Sequence, residues 1–354
     1  MSARWLEFVI PGDLQAATGG YIYDRRMIAG LRDLGWQVRV HTLDASFPHP
    51  TAGALAHAQE VLTRLPDQAL VLVDGLALGA MPRIVQLHAK RLRLLALIHH
   101  PLAAESGLAP EQALDLAQSE HLALQAMRHV LVTSQATRRA LLAYDVDPAR
   151  VSVVEPGTDA APLAPRHRGN TLKMLCVATL TPRKGHDLLF EALAPLPPHW
   201  QLTCVGSLTR SAATVAALRD QLRRLRLDGQ VALSGEVDST ALAHLYAQAN
   251  LFVLPTRFEG YGMAVAEALA HGLPVISTRV GAIPELVGSR AGVLVAAEDV
   301  AMLRAALDRV LSEPQLLDSL TRGAEAVRGT LPRWPHSIAL MARVLQNASD
   351  HCAR

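Results

Sequence analysis

Two carboxylates with seven residues between them, Glu259 and Glu267, stand in Phe258-Glu259-Gly260-Tyr261-Gly262-Met263-Ala264-Val265-Ala266-Glu267. An ionised carboxylate only accepts hydrogen bonds and takes two donors, which suits neighbouring hydroxyls of a sugar at one end and of a ribose at the other. Between them, Gly260 to Met263 open a predicted helix, where unpaired N–H groups and the positive end of the helix dipole hold an anion. Bare glycines at Gly260 and Gly262 also let a ligand approach the backbone closely. Further back, Thr181-Pro182-Arg183-Lys184-Gly185 sets two cations just after a strand, placed to neutralise a diphosphate. Taken singly, these acids and cations are the ordinary furniture of a solvated loop and helix surface. Their chemistry depends on the elements that carry them.

Leu251–Leu254 is a short apolar run closed by Pro255, and Met263–His271 is rich in helix formers and ends at Gly272. The unit therefore reads strand, loop, helix, strand, with Glu259 in the loop. Glu267 sits one turn past Met263 and leans back towards the helix N-terminus. The same alternation runs through the chain. Strands are expected at 6–10, 37–43, 69–73, 92–98, 129–133 and 151–154, and again at 173–179, 201–205, 230–233, 251–254, 274–278 and 292–295. Helical stretches between them imply two doubly wound parallel sheets, an α/β protein. The Pro- and Gly-rich segment 160–170 reads as a linker with the boundary near Pro165. The domains are then 1–164, joined by a final helix in 333–354, and 165–332. That helix, within 337–346, needs a surface for Ile338, Met341, Val344 and Leu345.

At 354 residues, half of them hydrophobic, the chain can bury two cores. A formal net charge of +2, from 34 basic and 32 acidic residues, gives no footprint for nucleic acid. Three cysteines, Cys176, Cys204 and Cys352, are widely spaced and form no CxxC, so their spacing indicates neither a disulfide framework nor a zinc cluster. The apolar start, Leu6–Ile10, is too short for a signal peptide, and no run of about 18 uncharged apolar residues follows. A cytoplasmic protein is expected. Arginines opposite the apolar stripe of 214–227 read as a solvated helix face, so peripheral membrane contact is not indicated.

The stretch Phe258–Ile276 resembles the E-x7-E signature of the retaining family 4 glycosyltransferases. Lys184-Gly185 is similar to the end of that family's phosphate-loop pattern, although Ala178-Thr179 stands where Gly-Arg is usual. The resemblance implies the GT-B fold: two Rossmann-like domains facing across a cleft, with a C-terminal helix crossing back to the first. It also implies transfer of a sugar, with retention, from a nucleotide-sugar donor, UDP-linked by preference and GDP-linked second. The acceptor, a small molecule, lipid or glycan, is not legible.

On this resemblance Glu259 holds the donor sugar, Glu267 the ribose, and Lys184 with Arg183 and the Gly260–Met263 N–H groups the diphosphate. Arg183 would stand in for the missing arginine at Thr179. Gly19-Gly20 matches a glycine-rich loop after the first strand, with Asp13 and Thr18 as candidate acceptor contacts. Val237, beside Gly235-Glu236, falls where the family contacts the base. Strand alternation turns only one of His99 and His100 towards the site. Counting back from Pro101 assigns His100, with His99 the alternative.

Glu155-Pro156-Gly157-Thr158-Asp159 reads as an interdomain turn. Asp145-Val146-Asp147 spells a metal-binding DxD but lies in a different context, so neither metal nor cofactor is expected. Two other classes stay open. One is an epimerase or phosphorylase of the same architecture. The other is a sugar-nucleotide-binding protein whose catalysis has decayed, a reading that Thr179 keeps in play.

Overall fold

The computed structural model describes residues 4–350 except 167, 168 and 170. It divides into two compact units, Met1–Gly157 with Pro332–Arg354, and Thr158–Leu331.

In the first unit the strands are β1 (Arg4–Pro11), β2 (Trp36–Leu43), β3 (Leu70–Asp74), β4 (Arg93–Ile98), β5 (His129–Val132) and β6 (Val151–Val153). In the second they are β7 (Leu172–Val177), β8 (Trp200–Val205), β9 (Val231–Gly235), β10 (Leu251–Leu254), β11 (Val275–Thr278) and β12 (Gly292–Val295). Each set forms a six-stranded parallel sheet. All five residues of β3 and all four of β10 and β11 are buried. Parallel sheets covered by helices on both faces require such unbroken apolar strands.

The two sheets differ in order. The second runs β12-β11-β10-β7-β8-β9, the dinucleotide-binding arrangement in which chain direction reverses between β7 and β10. The first runs β2-β1-β3-β4-β5-β6, reversing between β1 and β3. Ligands of open α/β sheets bind beyond the strands' carboxyl ends at such reversal points.

The C-terminal helix, Trp334–Asp350, belongs to the first unit and packs against the helix Gly19–Asp33. Tyr23 lies 6.2 Å from the Trp334 ring and Arg26 caps that ring at 5.1 Å. Trp334, Met341 and Leu345 are buried. Arg93 Nη1 donates to the Ser349 carbonyl at 2.7 Å.

The expected boundary near Pro165 falls inside the second unit. Ala164 N–H donates to the His271 carbonyl at 2.8 Å, and Arg328 bonds the Ala161 carbonyl, so this Pro-rich stretch is tied down rather than spanning. The division comes at Gly157, within the segment 155–159 that the sequence marks as an interdomain turn. Linker residues His167, Arg168 and Asn170, and Cys352, lie outside the described residues.

In the arginine-bearing helix, observed as Ala212–Leu225, Val215, Leu218 and Leu222 are all buried, which leaves it no apolar face for a membrane. Among the described residues no helix is long and apolar enough to cross one.

Candidate active site

In the second unit the site is built where the sheet reverses. After β7 the chain makes a single turn at Pro182–Lys184, and Gly185, at φ +70°, swings it into the helix His186–Leu193. A Cβ at Gly185 would sit 2.0 Å from the Pro255 carbonyl oxygen, so only glycine lets this loop lie against the end of β10. The two loops are then laced together. The Thr256 hydroxyl reaches the carbonyls of Arg183 (3.0 Å) and Phe258 (2.8 Å), and Arg257 N–H donates to the Arg183 carbonyl at 2.7 Å. Arg257 in turn bridges Asp187 (2.7 Å) and Glu298 (2.5 Å).

The result is a cation against a carboxylate: Lys184 Nζ lies 2.5 Å from Glu259 Oε2, each side chain 14% exposed. Screening is weak at that exposure, so the pair presents a strong local field at the carboxyl end of the sheet. Gly281, at φ +52°, lies directly on the Glu259 backbone, and a Cβ there would fall 1.5 Å from the Glu259 carbonyl oxygen. No motif reading picks out Gly281, because its partner carbonyl belongs to a loop distant in sequence.

Arg183, expected to grip a diphosphate, donates from Nη1 to the Phe258 carbonyl at 3.0 Å. At least part of its guanidinium therefore builds the loop. Gly260, Tyr261 and Gly262 are buried, and Gly262, at φ +100°, precedes the helix Met263–Ala270. Glu267 points from that helix to the Tyr246 hydroxyl, which donates to it at 3.0 Å. Burial, with the Glu267 carboxylate beside it, raises the Tyr246 phenol well above its ordinary range, so it remains a donor. Val237 is half-buried in the loop after β9.

In the first unit the helix begins at Gly19, so Gly19 and Gly20 form its first turn rather than a loop. First-turn N–H groups need no intrahelical partner, so two poor helix formers are tolerated there. A Cβ on Gly20 would meet the His99 ring at 3.5 Å.

His99, rather than His100, enters the polar centre of this unit. Its Nε2 lies 3.4 Å from Asp24 Oδ1 and 3.5 Å from Asp74 Oδ2, with Asp24 wholly buried. Tyr23 packs edge-on to the ring at 5.4 Å, and Thr133 and Thr137 donate to the His99 carbonyl. His100 instead lies 3.7 Å from the half-exposed Glu105.

Burial opposes charge on His99, but hydrogen bonds and charge from Asp24 and Asp74 outweigh it, and the imidazole is held up at about 10. At Asp24 burial dominates over the opposing His99, raising the carboxyl to about 6. The ring therefore stays an imidazolium across neutral pH. Asp24→Asn removes one stabilising charge, so the His99 pKa falls. Activity that depends on the imidazolium is then lost as pH rises through a lower value than in the unaltered chain. The pH dependence of kcat/KM checks this; an unmoved alkaline limb would show that activity does not depend on the His99 imidazolium.

Two groups among the described residues bring metal-binding donor atoms within 4.8 Å of one another: Asp24, Asp74 and His99, and Cys176, His186 and Cys204. The DxD residues do not gather. Asp147 accepts from Ala149 N–H at 2.9 Å, and Asp145 takes a left-handed turn conformation. Cys176 and Cys204, unrelated by spacing, are partners in register on β7 and β8.

Two Rossmann-like units in one chain, with the solved structures that superpose on it, place the chain in the GT-B class of fold. Sucrose-phosphate synthase from Thermosynechococcus elongatus superposes with a TM-score of 0.81 at 22% identity, over 97% of this chain and 98% of that one. HepE of Anabaena, solved with UDP and glucose, gives 0.75 at 17% identity, over 96% and 99%.

Residues 161–327, within the second unit, match the model of the family "Glycosyl transferases group 1". Among curated relatives, a D-inositol 3-phosphate glycosyltransferase of Thermomonospora curvata is 29% identical over 273 residues, 70% of this chain. The match spans 63% of that relative's length.

Proposed function

We propose that the chain is a retaining glycosyltransferase that moves a sugar from a nucleoside diphosphate sugar to a hydroxyl of a glycan, lipid or small-molecule acceptor, without a catalytic metal. The observation that carries this reading is the Lys184–Glu259 pair at the point where the second sheet reverses, beside the helix start at Gly260–Met263. A cation there neutralises the diphosphate as it departs, and an acceptor-only carboxylate beside it takes sugar hydroxyls. In the reaction the anomeric carbon's bond to phosphate breaks and a bond to the acceptor oxygen forms on the same face. The acceptor's proton passes to a phosphate oxygen, so no protein nucleophile is required. Because HepE was solved with UDP and also with UDP-glucose, UDP is the first donor nucleotide to test and GDP the second.

Glu267, hydrogen-bonded by Tyr246, is assigned to the ribose. Glu267→Ala is expected to weaken donor binding about tenfold, roughly 1.4 kcal/mol, with kcat changed by less than about threefold. Donor titration by calorimetry, with steady-state kinetics, checks this, and an equal fall in kcat would overturn the ribose role. In the first unit, the buried carboxylates around His99 favour it over His100 as the residue that orients reacting groups. His100→Ala should then act more weakly than His99→Ala.

Thermal unfolding with UDP, GDP and ADP, followed by product analysis with the matching sugar donor, tests the whole reading. A ligand at 100 times its dissociation constant stabilises by about 2.7 kcal/mol. No shift with any nucleotide would overturn the transferase assignment. Turnover of the donor without acceptor would point to the epimerase class.

A further inference from the structure

Beneath the Lys184 loop lies a second set of reactive side chains that sugar transfer leaves unused. Cys176 on β7 and Cys204 on β8 are partners in register, and parallel pairing puts both thiols on one face of the sheet. His186, first residue of the helix His186–Leu193, comes down on that face. Cys176 and Cys204 are 0% exposed and His186 1%. The three donor atoms lie within 4.8 Å of one another, with Cys176 Sγ 3.6 Å from His186 Nε2. A zinc ion with ordinary Zn–S and Zn–N bonds holds tetrahedral S and N ligands about 3.5 Å apart. The observed separation, a sulfur–nitrogen hydrogen bond, is also the spacing of two ligands on one ion.

His186 Nδ1 is buried with no hydrogen-bond partner among the described residues, so the sulfur side is its polar anchor.

We propose that Cys176, Cys204 and His186 form a buried three-donor site for zinc(II), separate from the transfer chemistry. Binding displaces both thiol protons to solvent, and two thiolates with a neutral imidazole balance the ion's charge. No net charge is then buried, which is the condition for a tolerable desolvation cost. Three protein donors leave one coordination position. His186 directly follows Lys184-Gly185, so the ion would fix the start of the helix that carries the Lys184 loop.

The test uses the full chain, expressed once in zinc-supplemented and once in cobalt-supplemented medium. About one equivalent of metal per chain is expected. The cobalt form should show a near-ultraviolet thiolate-to-cobalt band with d–d bands in the red. X-ray absorption of the unaltered zinc form should report two sulfur neighbours and one imidazole, a readout that needs no variant. Cys204→Ser and Cys176→Ser should abolish the cobalt band, while Cys352→Ser should keep it. Absence of both metal and band in the unaltered chain, metal with only nitrogen and oxygen neighbours, or a band that survives Cys176→Ser with Cys204→Ser would each overturn the site.

Discussion

Lys184→Ala is expected to lower kcat about 100- to 1,000-fold while donor affinity falls by less than about tenfold. The asymmetry follows from where charge develops. On the proposed assignment a bound diphosphate already carries its charge before reaction, but the departing phosphate gains charge only as the glycosidic bond breaks. A preorganised donor aimed at such a developing charge is worth about 3–4 kcal/mol in the transition state. The change also strands Glu259, whose carboxylate is 14% exposed and 2.5 Å from the ammonium. A stability loss of about 1–2 kcal/mol should accompany it.

Glu259→Ala separates the two effects. If Lys184 and Glu259 act as one unit, the double variant will be little slower than the worse single variant. Donor binding is measured by calorimetry, kcat by steady-state turnover and stability by denaturant unfolding. A Lys184→Ala enzyme with unchanged kcat would remove the leaving-group role.

Gly281→Ala should be among the most damaging single substitutions in the second unit, although it adds one methyl far in sequence from any charged residue of the site. That methyl would lie 1.5 Å from the Glu259 carbonyl oxygen, so the loop 255–262 must move. Overpacking of this kind costs about 1–3 kcal/mol, and a left-handed φ on a residue with a Cβ adds about 1–2 kcal/mol. A total of about 3 kcal/mol lowers Tm by roughly 6–12 °C for a unit of this size. Activity should fall further than the folded fraction, because the displaced backbone is the one that holds Glu259 against Lys184. Gly229→Ala is the control: no atom lies within 4 Å of its Cβ position, and its effect should be near zero. Circular dichroism melts and turnover at a temperature where both variants are folded distinguish the two outcomes. Equal melting of the two variants would show that the loop accommodates the methyl.

The strands were open to sequence reasoning because buried parallel strands demand short unbroken apolar runs, and Pro255 or Gly272 marks where such units end. The carboxyl-end placement of Lys184 and Glu259 followed from the same pattern. Other features depended on tertiary partners that no local pattern encodes. Alternation along β4 says that His99 and His100 face opposite ways, but which one turns inward is set by Asp24 and Asp74, brought from a helix and from β3. Gly19 and Gly20 read as loop residues by propensity, yet the first turn of a helix places few demands on them. Arg183 looked free to bind phosphate because its acceptor, the Phe258 carbonyl, is a backbone atom of another loop. The Cys176, His186 and Cys204 cluster lacks a spacing signature because two parallel strands and a helix assemble it.

The helix Trp334–Asp350 gives the chain an unequal division of labour during synthesis. Thr158–Leu331 is one continuous stretch, whereas the first unit is written in two pieces, the second of them translated after Leu331. The second unit can therefore finish folding on the ribosome while the first still shows the face of Gly19–Asp33 that Trp334 and Ile338 later cover. A fragment confined to Thr158–Leu331 should express as a folded protein. A fragment stopped at Gly157 should need a chaperone, or the missing helix supplied as a separate peptide, to stay in solution.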